Sequence, residues 1–185
     1  MIIDQPSAVP LPQASRLRPL FAGADLADSY AIALPSGLSD GDPEVIARAL
    51  FSHQAAWVAW LLRLRDLLVS PFGLKTAPML ATPDGPGDRR IGIFKVYEIH
   101  ADEILMGEDD RHLDFRLSVR ITDAQPGAQP GAQMVTLTTV VHCHNLLGRS
   151  YIMVIAPFHR AVVRSSLARA ARAGWRSPAD ATSRA

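Results

Sequence analysis

The sequence has one cysteine, few aromatic residues and almost no net charge. Because Cys143 is alone among 185 residues, neither an intrachain disulfide framework nor a cysteine-based zinc site can form. The formal net charge of +1 gives no general attraction to nucleic acid or to an anionic membrane. No uncharged apolar run approaches the length of a membrane span, and the N-terminus lacks the pattern of a signal peptide. We therefore expect a cytoplasmic protein with no nucleic-acid partner and no membrane span.

The composition that remains is typical of a folded domain. The chain is 48% hydrophobic and 20% charged, and its 185 residues can bury a sizeable core. Prolines are frequent at the start, which predicts an extended N-terminal lead-in over residues 1–20. The last residues, 174–185, predict a flexible polar tail. We expect a single domain over residues 21–173.

The hydrophobic pattern changes from helical to strand-like along the chain. Residues 28–34 predict a first strand, and Asp42 can cap a helix that begins at Pro43. Apolar residues at helical spacing predict a second helix over 54–69. Further strands are predicted over 91–100, 104–108, 112–122 and 134–145, and a final helix over 150–173. This order of elements predicts an α+β fold.

The segment 112–122 has the clearest strand pattern. Its odd-numbered residues are mostly apolar and its even-numbered residues are polar, which predicts one dry face and one face in water. If the dry faces stay together, even-numbered residues pair with even-numbered residues of segment 134–145. One such register places His112 opposite His144 and Asp114 opposite His142.

These four polar side chains, His112, Asp114, His142 and His144, are a candidate reactive set. Imidazoles with a carboxylate can ligate zinc or form an acid/base pair. Since the set lies on the face predicted to meet water, we favour a structural ladder of ion pairs and hydrogen bonds. A metal site, a catalytic site or a subunit interface is the alternative.

Four segments carry a recognisable set of motifs: Pro71–Thr76 (PFGLKT), Gly107–Arg116 (GEDDRHLDFR), His144–Tyr151 (HNLLGRSY) and Pro157–His159 (PFH). Together they resemble the bacterial family catalogued as domain of unknown function 2867. The resemblance implies a helix-grip fold like that of START and polyketide-cyclase domains. In that fold a curved antiparallel sheet wraps around a long C-terminal helix, here with two short helices after the first strand. Relatives with this fold often hold apolar ligands.

The implied fold can leave a cavity between the sheet and the last helix. We expect a small apolar or amphipathic molecule as partner and no cofactor. The candidate ligand-binding residues are Trp57, Trp60, Phe115, Asn145, Arg149, Tyr151, Phe158 and His159. Helix capping and surface contacts are the alternative roles of the polar members, and core packing that of the aromatic ones.

Two other functions fit the same residues. One is an enzyme of the cyclase, isomerase or hydrolase kind that uses His159 or the His/Asp set as acid and base. The other is an accessory or dimerisation module for an oxidoreductase, since some relatives carry this domain after an NAD(P)-binding domain. Arginines are concentrated after residue 148 and acids between Glu98 and Asp114, so these segments could attract each other within the fold or in a homodimer.

Overall fold

The computed structural model describes residues 5–35, 41–52, 88–123 and 132–175. Within these ranges, seven strands form one sheet that is packed against helices. The strands are β1 (Ser7–Ala8), β2 (Leu26–Leu34), β3 (Arg90–Ile91), β4 (Phe94–Ile99), β5 (Glu103–Asp109), β6 (Leu113–Asp123) and β7 (Gln133–Cys143). The helices are α1 (Pro43–Ser52), α2 (Leu146–Arg172) and a short 3-10 helix (Arg18–Leu20). The predicted α+β class is confirmed, whereas the helix predicted over 54–69 lies outside the described residues.

The sheet is antiparallel throughout, in the order β1-β2-β7-β6-β5-β4-β3. The pairing of β6 with β7 follows the register predicted from the dry faces, with Asp114 opposite His142. Alternation predicted that even-numbered residues pair with even-numbered ones, because a slip of one residue would have turned every apolar side chain of one strand to the other face, and the observed register is one of those this rule allows.

One face of the sheet, called here the inner face, packs against α2. The C-terminal half of α2 contributes Val163, Leu167 and Ala170 to the main core, where they meet side chains of β2, β5, β6 and β7. Trp175 lies in the same core with 1% of its surface exposed, although the sequence placed it in the terminal tail. A single large aromatic side chain after a helix gives no periodic signal, so its burial was not visible in the sequence. None of the helices in the described ranges has the combination of length and apolar character that crossing a membrane requires.

Side-chain caps set where the two α-helices begin. At α1, Asp42 Oδ1 accepts the backbone N–H of Glu44 at 2.8 Å, as the sequence predicted. At α2, Asn145 Oδ1 accepts the N–H of Gly148 at 3.0 Å, so the helix begins four residues before the predicted Ser150. A side chain at Gly148 would not fit, because its Cβ would lie 2.3 Å from the carbonyl oxygen of His112.

The N-terminal segment covers part of the opposite, outer face. Leu17 is 1% exposed and packs with Leu105 and Val140. Buried Glu103 receives hydrogen bonds from the hydroxyls of Ser15 and Ser118 and from the N–H of Arg16. The prediction that the even-numbered face meets water is therefore wrong at its centre. Small hydroxyl side chains there let a chain segment approach the sheet closely and bond to it.

The same segment adds β1 to the sheet, where Ser7 pairs with Ala31. The described part of the lead-in predicted over residues 1–20 thus packs against the fold, beginning with buried Pro6. Proline-rich composition excludes a long helix, but it does not exclude docking, which depends on partners distant in sequence.

Candidate functional site

Two polar residues, Asp28 and Thr139, interrupt the apolar inner face. They are direct neighbours across β2 and β7, and Leu117 of β6 follows Thr139 in the same row. On one side of this row lies the main core, and on the other side lies a smaller cluster that includes Val141 and Ile152. The polar pair therefore lies at the boundary between two apolar clusters, beneath α2.

Only one of the two carboxylate oxygens of Asp28 has a hydrogen-bond partner among the described residues. His159 Nε2 of α2 donates to Asp28 Oδ1 at 3.3 Å, and the two side chains are 22% and 14% exposed, respectively. The second oxygen, Oδ2, is buried and has no hydrogen-bond partner among the described residues. Its nearest cation is Arg160 Nε at 3.8 Å, a distance too long for a hydrogen bond.

Thr139 is 5% exposed, and its hydroxyl Oγ1 also lacks a hydrogen-bond partner within the described ranges. A buried polar group without a partner costs about 1–3 kcal/mol, so two of them side by side require an explanation. A bound group that completes their hydrogen bonds is one physical explanation.

The carboxylate of Asp28 affects the pKa of a tyrosine in the neighbouring core. Burial raises the pKa of the Tyr30 hydroxyl, and the carboxylate of Asp28 raises it further, while Arg160 and Arg164 act in the opposite direction. Tyr30 lies two residues along β2 from Asp28 and belongs to the main core.

Half-buried aromatic rings extend across the same face from α1. The ring of Phe51 lies 4.7 Å from that of Phe94, and Phe94 meets Phe115 edge to face at 5.9 Å. Phe115 is opposite Val141, in the row next to Asp28 and Thr139. Tyr151 of α2 packs against the smaller cluster of that region. These rings present apolar surface beside the polar pair.

The structure separates the candidates that the sequence grouped together. Phe115, Tyr151 and His159 lie on the side of the sheet that faces α2. Asn145 caps α2, the role that we kept as its alternative, and Phe158 is 48% exposed. The side chain of Arg149 is 62% exposed and pairs with Asp25 at 3.3 Å. Trp57 and Trp60 lie outside the described residues.

The His/Asp set divides into separate interactions. His144 Nε2 pairs with Asp114 Oδ2 at 2.9 Å, and His142 Nε2 donates to the carbonyl oxygen of Leu20 at 2.8 Å. His112 is buried rather than in water, and its Nδ1 accepts from the Asn145 amide at 3.0 Å. Across the described part of the chain, no three His, Cys, Asp or Glu side chains are placed to hold a metal ion.

A buried charge cluster at the end of the sheet gave no sequence signal. Arg90 Nε pairs with Asp88 Oδ2, and Arg90 Nη1 pairs with Glu108 Oε2, both at 2.9 Å. Burial acts to lower the pKa of Arg90, but hydrogen bonds to Glu108 and Asp88 outweigh it, and the net change is upward. These ion pairs connect β3 to β5.

Asp28 and Thr139 had a weak signal that sequence reasoning missed. Each is a polar residue inside an apolar alternation: Asp28 precedes Tyr30, Ile32 and Leu34, and Thr139 stands between Leu137 and Val141. A polar residue on the dry stripe of a strand is a candidate for function or for a buried hydrogen bond. Only the fold shows which of the two applies.

Comparison with known proteins gives the family. Residues 20–166 match the family described as protein of unknown function (DUF2867). The chain belongs to the DUF2867 family. The sheet and long C-terminal helix of this DUF2867 protein agree with the helix-grip architecture that the sequence motifs implied.

Among solved structures, the DUF2867 protein is similar to a START superfamily protein from Mycobacterium smegmatis. The two share 13% sequence identity with a TM-score of 0.37, over 77% of this chain and 94% of the other. No curated protein matches the chain significantly.

Proposed function

We propose that this DUF2867 protein binds a small amphipathic molecule between the inner face of the sheet and α2. The observation that carries the proposal is the boundary of the two apolar clusters, where partly buried rings lie on the same face of the sheet as a buried polar pair. Ligand sites typically combine apolar walls with a few polar groups that orient the ligand.

The apolar part of the ligand would contact the rings of Phe94, Phe115 and Tyr151. All three are partly buried, so they retain surface that a ligand can cover. Covering one such side chain completely is worth about 1.5–3 kcal/mol. Several such contacts give affinity for an alkyl or ring system without a specific shape.

The polar part would reach Asp28, Thr139 and His159. These residues come from β2, β7 and α2, so their relative position depends on the packing of the helix on the sheet. A polar group held by elements distant in sequence is positioned by the rigid scaffold rather than by a loop.

The first test uses the purified protein without added ligand. Native mass spectrometry compared with denaturing mass spectrometry should show an additional small mass that is lost on denaturation or solvent extraction. The extracted protein should then bind the apolar fluorophore N-phenyl-1-naphthylamine with increased and blue-shifted fluorescence.

Variants locate the binding. Phe115→Ala should weaken fluorophore binding about tenfold, because the ring contributes apolar contact, and Phe115→Leu keeps much of the volume if the alanine variant does not fold. The matched control is Met153→Ala on the outer side of α2, where the side chain is 76% exposed. Equal binding by the Phe115 and Met153 variants, or absence of binding by the extracted protein, would contradict the proposal.

A further inference from the structure

A cleft of about 620 Å³ lies between the N-terminal segment and the C-terminal half of α2. Gln5 and Pro6, which come just before β1, form one wall, and α2 forms the other. The helix wall includes the small side chains of Ala168 and Ala171, which take up little of the space. The volume is within the range of about 300–1,000 Å³ that is typical of sites for small molecules.

The polar side chains that line the cleft are those of Gln5, Arg164, Ser165 and Arg172, and all four can donate hydrogen bonds. None of the described residues that line it is acidic. The whole of α2, from Leu146 to Arg172, contains no aspartate and no glutamate. The cleft therefore offers hydrogen-bond donors and positive charge, without a carboxylate in its described lining.

Arg164 and Arg172 differ from most other arginines that the structure describes. Those arginines pair with carboxylates, as Arg120 does with Asp102 at 3.2 Å. Among the described residues, no carboxylate pairs with Arg164 or Arg172. Arg172 uses only its Nε, which donates to the carbonyl oxygen of Ala168 at 3.1 Å. Both guanidinium groups thus have N–H donors that a ligand can use.

The spacing of the two arginines favours an anion that presents many oxygens. Their backbone positions are about 12 Å apart along the helix, since each of the eight residues rises about 1.5 Å. A phosphoryl group presents three acceptor oxygens, and guanidinium groups bind it with paired hydrogen bonds. A carboxylate presents two oxygens, which leaves fewer acceptors for the hydroxyl of Ser165 and the amide of Gln5.

We infer that the cleft is a second ligand site, which binds the phosphoryl groups of a ligand through Arg164 and Arg172. It is separate from the apolar site proposed above, because the α2 side chains that enter the main core, Val163, Leu167 and Ala170, are not among those that line the cleft. Each site can therefore be tested without the other.

The first experiment measures pyrophosphate binding to the purified full-length protein. Isothermal titration calorimetry is carried out at low ionic strength, where charges are weakly screened. A single pyrophosphate per chain should bind at least about tenfold more tightly than the dicarboxylate succinate, since one additional hydrogen bond to a charged group is enough for that ratio. Absence of pyrophosphate binding, or equal affinity for succinate, would overturn the inference.

Three variants assign the binding to the cleft. Arg164→Gln and Arg172→Gln should each weaken pyrophosphate binding at least about tenfold, because each removes one cation from the exposed rim of the cleft. Arg18→Gln is the matched control. It removes the same charge from an exposed arginine in the short 3-10 helix and should change the affinity less than about twofold. Equal losses in all three variants would indicate a general effect of net charge and would overturn the inference.

Vesicles identify what carries the phosphoryl group. Sedimentation of the protein with phosphatidylcholine vesicles that contain phosphatidate, but not with phosphatidylcholine alone, would assign it to a lipid head group if Arg164→Gln abolishes the sedimentation. Pyrophosphate binding without sedimentation would assign it to a soluble molecule. Either result supports a phosphoryl site in the cleft.

Discussion

On the outer face of the sheet, the buried polar side chains are hydrogen-bonded to one another. Glu103 bonds to Ser15 and Ser118, and the hydroxyls of Ser29 and Thr138 lie 2.9 Å apart. On the inner face, one residue along β7 from Thr138, the Thr139 hydroxyl has no such partner within the ranges that the structure describes. The two faces thus bury similar groups with different degrees of satisfaction.

This difference separates structure from function. A buried polar group that is hydrogen-bonded holds chain segments in place, as Glu103 holds the N-terminal segment. A buried polar group that is not bonded is a net cost in the free protein, and such costs persist where a ligand offsets them. The outer face accordingly holds the N-terminal segment to the sheet, and the unsatisfied pair on the inner face is one reason for proposing a ligand there.

The largest expected effect is on the free energy of unfolding, through the N-terminal segment that covers the outer face. Leu17→Ala should lower the free energy of unfolding by about 3 kcal/mol, because a fully buried leucine is replaced by a cavity. Leu20→Ala in the same segment is the control, since Leu20 is 37% exposed, and it should cost less than about 1 kcal/mol. Urea denaturation measures both. Equal small losses would mean that the segment does not cover the sheet.

The sharpest comparison of the faces uses two adjacent threonines. Thr138→Val should lower the free energy of unfolding by about 1 kcal/mol, because it leaves the buried hydroxyl of Ser29 without its partner. Thr139→Val should be neutral or should stabilise by up to about 1 kcal/mol, because it removes an unsatisfied hydroxyl. Thermal and urea unfolding show whether each substitution raises or lowers the free energy of unfolding. A loss for Thr139→Val equal to that for Thr138→Val would remove the distinction between the faces.

The smallest expected effect is on the reactivity of the Cys143 thiol, at the end of β7 nearest α2. Burial raises the pKa of the Cys143 thiol to about 11, and the nearby carboxylate of Asp25 adds to the change. The reactive thiolate should therefore be scarce at pH 8, and alkylation by iodoacetamide should accelerate as the pH rises toward 11. The pH profile reports Cys143 alone, because the chain has no other cysteine.

Asp25→Asn tests the cause of that change. Loss of the carboxylate should move the alkylation profile to lower pH, since a neighbouring negative charge disfavours the thiolate. An unchanged midpoint would show that burial alone sets the thiol pKa, and a wild-type midpoint near that of a free cysteine would show that this end of the inner face is wet.

Local patterns predicted much of the fold. Alternation in β6 and β7 gave their pairing register, and the cap at Asp42 gave the start of α1, because both depend on residues close in sequence. The pattern of apolar residues predicted the long final helix, and the motif-based resemblance implied its packing against the sheet. The fold divides the candidate site residues: Phe115 faces α2, and Tyr151 and His159 face the sheet, whereas Asn145 caps α2 and Phe158 is exposed.

The sequence by itself determined the α+β class, the two-faced strands and the register that keeps the apolar side chains together, because these follow from periodicity and turn chemistry. Only the tertiary structure decided which polar residues are buried and which of them are satisfied. Glu103 is paired because the N-terminal segment returns across the sheet, whereas Asp28 and Thr139 become neighbours only when β2 pairs with β7. The hydrogen bonds Ser15–Glu103 and Ser29–Thr138 join residues more than 80 positions apart, and no local pattern encodes such pairs.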